Sequence, residues 1–529
     1  MAQNRMKTMM RGAFVLTIAS FIAKLLSAVY RVPFQNLVGD EGFYVYQQVY
    51  PIYGLAMTLA LSGLPQFISK LVASKKSPKE QQQVLDELYP LVFWLAVLLW
   101  GSIFLFSGWI ALVMGNRALQ PLIQVVSFTF LLVPPLSFYR GNFQGNLLMV
   151  PSAVSQVSEQ LLRVGVILFA ASLFHQWSLS IYQVGTLAMT GAFIGGLVAW
   201  ALLAFYDYRI FGRHHRFFRL PRKVRFSKPM LRRLLVEGGL LSIYSGLLIL
   251  FQLIDSFFVV NALEFGGMVE QQARIAKGIY DRGQPLVQLG LVAATALSST
   301  FLPALTKYLL EKKSALFLQS AKIYLRLTIS LACAAASGLA MLVPYINFAL
   351  FKDNAGNQTL QFFVFAVALT AAINAYQSIA QSQNYFRRSL KAAGWGLLTK
   401  AVVTGLLTMW LGTIGASLST LLGLVVILGY LMKQETSEVN CFWREKHFSL
   451  KLIGCTFGMI VMIFVGFQLI MLIAGPVTTR LQAFGFSLIG VAIGGVTFIQ
   501  LAIRFRLLSL REWLMLPFGK KILRFLGGK

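Results

Sequence analysis

Apolar residues run in blocks of about twenty along almost the whole chain, separated by short polar connections. A helix rises ~1.5 Å per residue, so each block is long enough to cross a hydrocarbon core of ~30 Å. The pattern predicts about fourteen spans, with cores near 12–37, 42–72, 88–114, 120–147, 152–174, 179–205, 234–262, 279–308, 317–346, 359–384, 392–411, 413–432, 450–474 and 482–503. The expected fold class is an all-α polytopic membrane protein.

Composition agrees. Of 529 residues, 57% are hydrophobic and 12% charged, where a soluble protein carries about 25% charged residues. The basic start "MAQNRMKTMMRG" leads into the first span with no A-x-A-like site after it, so no cleavable leader is expected. Cys333, Cys441 and Cys455 lack paired spacing, and His175, His214, His215 and His447 form no metal constellation. No GxxxxGK[ST] phosphate loop occurs, which argues against ATP hydrolysis.

A net charge of +29 raises the question of nucleic acid. Its distribution answers it. The basic connections are the N-terminus (Arg5, Lys7, Arg11), 70–79, 207–233, 307–313, 387–391, 433–451 and the tail from Arg504. The alternate connections, near 37–41, 115–119, 175–178, 263–278, 347–358, 412 and 475–481, hold only about five Lys and Arg. This positive-inside alternation predicts cytoplasmic N- and C-termini and contact with anionic membrane lipids, not nucleic acid. The connections on the outer side are too short to house a catalytic domain, so a transporter is expected rather than an enzyme.

The two halves of the chain resemble each other. "LALSGLPQFISKLVASKKS" around Pro65 and "TALSSTFLPALTKYLLEKKS" around Pro303 share their order of residues at an offset of 238. Tyr139/Tyr376, Gln144/Gln381 and Arg163/Lys400 are related at 237. This suggests a duplicated six-span unit, with both copies entering from the same side. The division reads 1–206 for an N-lobe, 207–233 for a basic linker and 234–433 for a C-lobe. Two further spans occupy 450–503, and 504–529 form a basic tail. Parallel two-lobed transporters carry a central cavity and operate by rocking.

Ionisable residues inside spans cost ~2.5–3.5 kcal/mol each on insertion scales and usually face a bundle interior. Here they are Lys24, Arg31, Arg140, Glu159, Arg163, Asp255, Asp281, Arg282 and Lys400. Lys24 and Arg31 lie seven residues apart, on one face of a continuous helix. The second span carries Tyr44, Tyr46, Gln47 and Tyr50, and Tyr46, Tyr50 and Tyr53 form one stripe. The eighth span opens "GIYDRGQPLVQLG", with Asp281, Arg282 and Gln284. Arginines suit phosphates, and tyrosines and amides suit sugar hydroxyls. The ligand class is therefore an anionic, sugar-bearing lipid or solute; an aromatic belt at the outer leaflet is the alternative for the tyrosines. Arg140, with Gln144, ends the fourth span and either meets a phosphate or snorkels. Glu159 and Arg163, at i and i+4, read as an intrahelical pair. Lys400 is a possible partner for Asp255.

The stretches "RGAFVLTIASFIAKLLSAVYRVPFQNLVGDEGFYVYQQVYPIYGLA" and "FYRGNFQGNLLMVPSAVSQVSEQLLR" resemble the SpoVB/YabM/YtgP group. That group belongs to the polysaccharide-transporter branch of the multidrug/oligosaccharidyl-lipid/polysaccharide (MOP) exporter superfamily, which also holds the MurJ-like lipid II flippases. The resemblance implies a fourteen-helix, V-shaped, two-lobe fold with alternating access in the bacterial cytoplasmic membrane. It implies an undecaprenyl-pyrophosphate-linked saccharide as cargo and a link to the cell-wall synthesis machinery. No cofactor is implied beyond a coupling cation, sodium or proton, for which Asp255 is the candidate site. Lys24, Arg31 and Arg282 match the cavity-lining basic residues of such flippases. The second span departs from the pattern, with no Lys or Arg between Glu41 and Lys70. Small residues in the last two spans (Gly454, Gly458, Gly490, Gly494) suit either a lipid-tail groove or close helix packing.

Overall fold

A computed structural model describes residues 2–212 and 227–515, and every regular element among them is helical. Residues 213–226 of the basic linker and 516–529 of the tail lie outside the described residues. Eleven helical stretches among those described are long and apolar enough to cross a membrane, as a multi-pass membrane protein requires.

Two stretches exceed a single crossing: Ile18–Ala73 has 56 residues and Phe386–Gln434 has 49. Each is broken once by a glycine in a backbone region open only to glycine. Gly39 has φ 73° and ψ −179°, and Gly412 has φ 60° and ψ −144°. These breaks fall where the hydropathy pattern divides 12–37 from 42–72, and 392–411 from 413–432.

The chain divides into two compact units, Met1–Asp281 with Thr404–Gly412, and Arg282–Val403 with Thr413–Lys529. The lobes read from the internal repeat are a different partition of the chain.

The first unit opens with α1 (Ala2–Val29) and α2 (Arg31–Thr58), which run on through Tyr30 in helical geometry. A π turn, Leu59–Gly63, then leads into α3 (Leu64–Ala73), with Pro65 in its first turn. Next come α4 (Pro78–Leu105), α5 (Ser107–Val113), α6 (Gln120–Ser127), α7 (Val133–Gly145), α8 (Met149–Gln176) and α9 (Ile181–Phe211). The Ser77 hydroxyl accepts the Glu80 N–H at the start of α4, and Ser180 with Gln183 forms a capping box on α9. Glycines hold α9 close to α8. A Cβ on Gly195 would meet the Glu159 carbonyl at 2.7 Å, and one on Gly191 the Arg163 carbonyl at 3.0 Å. This small-residue contact fixes the rotation of α8, and with it the side chains of Glu159 and Arg163.

After the linker follow α10 (Lys228–Arg233), a second π turn (Leu234–Gly238), α11 (Gly239–Ser245), α12 (Leu247–Phe265) and α13 (Glu270–Asp281). The two π-bearing helices pack together. Gly63 lies so close to Ser242 that a Cβ there would collide with its backbone and side chain. Lys70 Nζ reaches Glu237 Oε2 at 3.0 Å, and Arg233 Nε reaches Glu237 Oε1 at 3.1 Å.

The second unit comprises α14 (Gly283–Gly290), α15 (Val292–Leu310), α16 (Ser314–Phe351), α17 (Asn357–Phe363), α18 (Ala366–Ser382) and α19 (Phe386–Gln434) apart from its Thr404–Gly412 stretch. It ends with α20 (Ser437–Asn440), α21 (Phe448–Ala474), α22 (Arg480–Arg504) and α23 (Leu510–Met515). Gly458 packs on Leu501, Gly494 on Ile463, and Gly490 on Leu342 and Phe467. These glycines stand at close helix contacts, the packing alternative of the sequence reading.

Candidate functional site

The site begins at the join of α1 and α2. Arg31, the first residue of α2, is fully buried. Its guanidinium lies 4.6 Å from the centre of the Tyr50 ring, and Tyr30 and Tyr46 are its other electrostatic neighbours. Its Nε, Nη1 and Nη2 make no well-formed hydrogen bond. The tyrosine stripe continues the enclosure: ring centroids are 6.2 Å apart for Tyr46 and Tyr50, and 5.8 Å for Tyr50 and Tyr53. The Tyr30 hydroxyl donates to that of Tyr46 at 3.2 Å. All four rings are buried, so this stripe lines an interior and is not an exposed aromatic belt.

A second arginine enters from α8. Arg163 is fully buried, 4.7 Å from the Tyr53 ring centre and 5.1 Å from that of Tyr30. Its Nη2 donates to Gln160 Oε1 at 2.8 Å and to Ser27 Oγ at 3.2 Å, while Nε and Nη1 have no acceptor. The sequence reading paired Arg163 with Glu159, and the structure corrects this. Glu159 accepts instead from Arg140 Nη2 at 2.7 Å, and Arg140 also reaches Ser155 Oγ and the Ala60 carbonyl. A buried, three-way anchored arginine outcompetes an i, i+4 contact worth a few tenths of a kcal/mol.

The other candidates are distributed as follows. Lys24 is exposed on α1. Tyr30 keeps helical φ −61° and ψ −25° and its backbone bonds to Leu26 and Phe34, so the helix runs on from Lys24 to Arg31 as the seven-residue spacing assumes. Gln47 is buried with neither amide atom partnered, whereas Gln48 donates to the Met114 and Ser256 carbonyls. Tyr44 is buried beside Asn116 and Arg274, apart from the stripe. Gln144 is half-buried at the end of α7, and Gln284 is buried in α14. Asp281 pairs with Lys277 at 2.6 Å, and Asp255 accepts the Tyr280 hydroxyl at 2.8 Å. Lys400 donates to Ser419 Oγ, Thr420 Oγ1 and the Ala416 carbonyl.

Arg282 forms a forked contact in the second unit. Its Nη1 and Nη2 reach the two Asp353 oxygens at 2.7 and 2.9 Å, Nη1 also reaches Asn347 Oδ1, and the Phe351 ring lies beneath. Burial pushes the Asp353 carboxyl up, but the Arg282 hydrogen bonds and the Ala355 N–H hold it below the usual carboxylate range. The pair's stabilisation is therefore present above the ordinary aspartate value of ~3.9 and lost as pH falls through the lowered one. We expect Asp353→Asn to lower the melting temperature at pH 7 and to flatten its fall on acidification. An unchanged acid limb would show that the pair contributes nothing.

Among the described residues no group of three or more His, Cys, Asp or Glu is placed to hold a metal ion. Sequence reasoning left out Arg163 as a site residue, along with Tyr30, Lys277, Asn347 and Asp353. One signal for Arg163 was present: the repeat aligns it with Lys400, a cation at the same place in both halves.

Comparison with known proteins gives a consistent result. Residues 9–309 match the family described as "Polysaccharide biosynthesis protein". The chain is 35% identical to the uncharacterized membrane protein YabM of Bacillus subtilis (strain 168) over 98% of its own length and 96% of YabM. It is 32% identical to the lipid II flippase MurJ of the same organism over 36% of this chain and 38% of that one. Among solved structures, lipid II flippase MurJ in its inward closed conformation superposes with TM-score 0.70 and 14% identity, covering 93% of this chain and 99% of that chain. An inward-facing multidrug resistance MATE transporter superposes with TM-score 0.61 and 14% identity, covering 82% and 99%. The chain therefore belongs to the polysaccharide biosynthesis protein family, and its fold is that of the MurJ and MATE structures.

Proposed function

We propose that the protein is a flippase that carries an undecaprenyl-pyrophosphate-linked saccharide across the bacterial cytoplasmic membrane by alternating access. The observation that carries this reading is Arg31, buried among tyrosine rings and hydroxyls with no carboxylate bonded to its guanidinium. Such a group is suited to the diphosphate of a lipid-linked sugar, and the rings and amides around it to the saccharide. A cationic drug would call for carboxylates at this position, which disfavours a multidrug antiporter. The loops leave no room for a catalytic domain, so the role is transport and not catalysis. Fourteen crossings follow if Gly39 and Gly412 each divide one long stretch, and if the broken helix α13–α15 crosses once. The positive-inside distribution then puts both termini in the cytoplasm. Asp255, bonded to Tyr280, is the proposed place for a coupling cation.

The test is replacement of the sole lipid II flippase in a conditionally depleted bacterium. Growth and externally accessible lipid II should return with the wild-type chain and fail with Arg31→Ala at equal membrane abundance. Rescue by Arg31→Ala would remove the reading's carrying residue. Failure of the wild-type chain would move the cargo to another undecaprenyl-linked glycan.

A further inference from the structure

We infer that Arg163 is a substrate-binding residue, the second cation of a diphosphate cage, supplied by α8 in place of the basic residue that the second span lacks. This rests on the flippase reading for the identity of the cargo, but its physical basis is independent of it.

Arg31 and Arg163 share one enclosure. Tyr30, Tyr46 and Tyr50 are electrostatic neighbours of both, and the Tyr53 ring lies beside Arg163 and, tilted, beside Tyr50. Arg163 Nε and Nη1 are buried without an acceptor, and Arg31 has only the Tyr30 and Tyr50 hydroxyls beside its guanidinium. Glu159, one turn before Arg163, is committed to Arg140. The enclosure thus holds two guanidinium charges with no carboxylate bonded to either. Taking one ion out of water costs more than a cation–ring contact returns. Tyrosine rings alone do not offset two such burials.

The unused donors define the ligand. They are planar, they belong to two separate guanidinium groups, and hydroxyl donors surround them. A carboxylate would satisfy one arginine and strand the other. A diphosphate presents two anionic centres with several acceptor oxygens, one for each fork. Its source is either the lipid-linked cargo or free pyrophosphate, and the chemistry is the same.

The full-length chain in detergent would be titrated with inorganic pyrophosphate and, separately, with farnesyl diphosphate, following the melting temperature. The wild type should be stabilised by both; a half-saturating concentration lower for farnesyl diphosphate assigns the lipid-linked source, and equal concentrations assign the free anion. Arg163→Gln should need at least tenfold more of either ligand, and Arg163→Lys an intermediate amount. Without ligand, Arg163→Gln should melt no lower than the wild type, because it removes one of two buried charges to which no carboxylate is bonded. The inference is overturned if Arg163→Gln titrates like the wild type. It is equally overturned if Arg163→Gln melts lower and Arg163→Lys restores the melting temperature without restoring the ligand response, which would make the residue structural. The two readings separate cleanly: flippase rescue by Arg163→Gln at the wild-type level removes this inference alone, whereas Arg163-dependent diphosphate binding in a chain that rescues no flippase removes lipid II as the cargo and leaves this inference standing.

Discussion

Glu159→Ala is expected to destabilise the protein by about 3–5 kcal/mol, the range for leaving one member of a buried ion pair uncompensated. Arg140 is 1% and Glu159 5% exposed, and their contact is 2.7 Å. After the substitution Arg140 keeps only Ser155 and the Ala60 carbonyl, neither of which carries charge. The loss should appear as a large fall in melting temperature and in folded yield from the membrane. Adding Arg140→Leu should restore most of it, since a buried pair replaced by apolar side chains is often neutral. The same double variant decides the role of Arg140. If stability returns and transport does not, Arg140 also serves the cargo. If both return, it is an anchor between α7 and α8 only.

Gly278→Ala is expected to cost about 1–3 kcal/mol, as overpacking does, and Gly278→Leu more. Gly278 in α13 lies against the Asp40 carbonyl of α2, closer than a Cβ tolerates, with Tyr44 Cβ at 3.4 Å from where that carbon would sit. The obstacle is backbone, which cannot swing aside as a long side chain can. The two helices must separate where the second span starts. Gly165→Ala is the control: nothing lies within 4 Å of its Cβ position, and it sits exposed within α8. It should be neutral or stabilise by up to ~1 kcal/mol through helix propensity. Equal melting temperatures for the two alanine variants would mean that the α2–α13 contact is looser than its geometry indicates.

The fold was largely legible in the hydropathy pattern. The positions of Gly39 and Gly412, where one long helical run becomes two, coincide with breaks drawn from apolar periodicity alone. The site was only partly legible. Arg31, Tyr46, Tyr50 and Tyr53 could be chosen because they share one short stretch, so local spacing carries the information. Lys24 shares a face with Arg31 by the same local spacing, and the helix runs unbroken through Tyr30. Arg163 was assigned to Glu159 because i, i+4 spacing is visible in sequence, whereas the competitor, Arg140, lies on another helix. Tertiary contacts of that kind leave no periodic trace. The Arg282–Asp353 fork failed to register for the same reason, being closed across a turn between two helices.

The paired π turns, Leu59–Gly63 and Leu234–Gly238, make chain length the adjustable quantity in this part of the protein. A π turn carries one residue more than the α-helix it interrupts. Deleting one residue there would close the wide turn into a regular helix, and the residues beyond it would keep their faces. Phe67, Ile68 and Leu71 would stay in the interior, and Lys70 would stay beside Glu237. The same deletion inside α3 would turn everything after it by ~100° about the helix axis, since 3.6 residues make one turn. A single-codon deletion is therefore a local event in these two turns and a misalignment of a whole helix elsewhere.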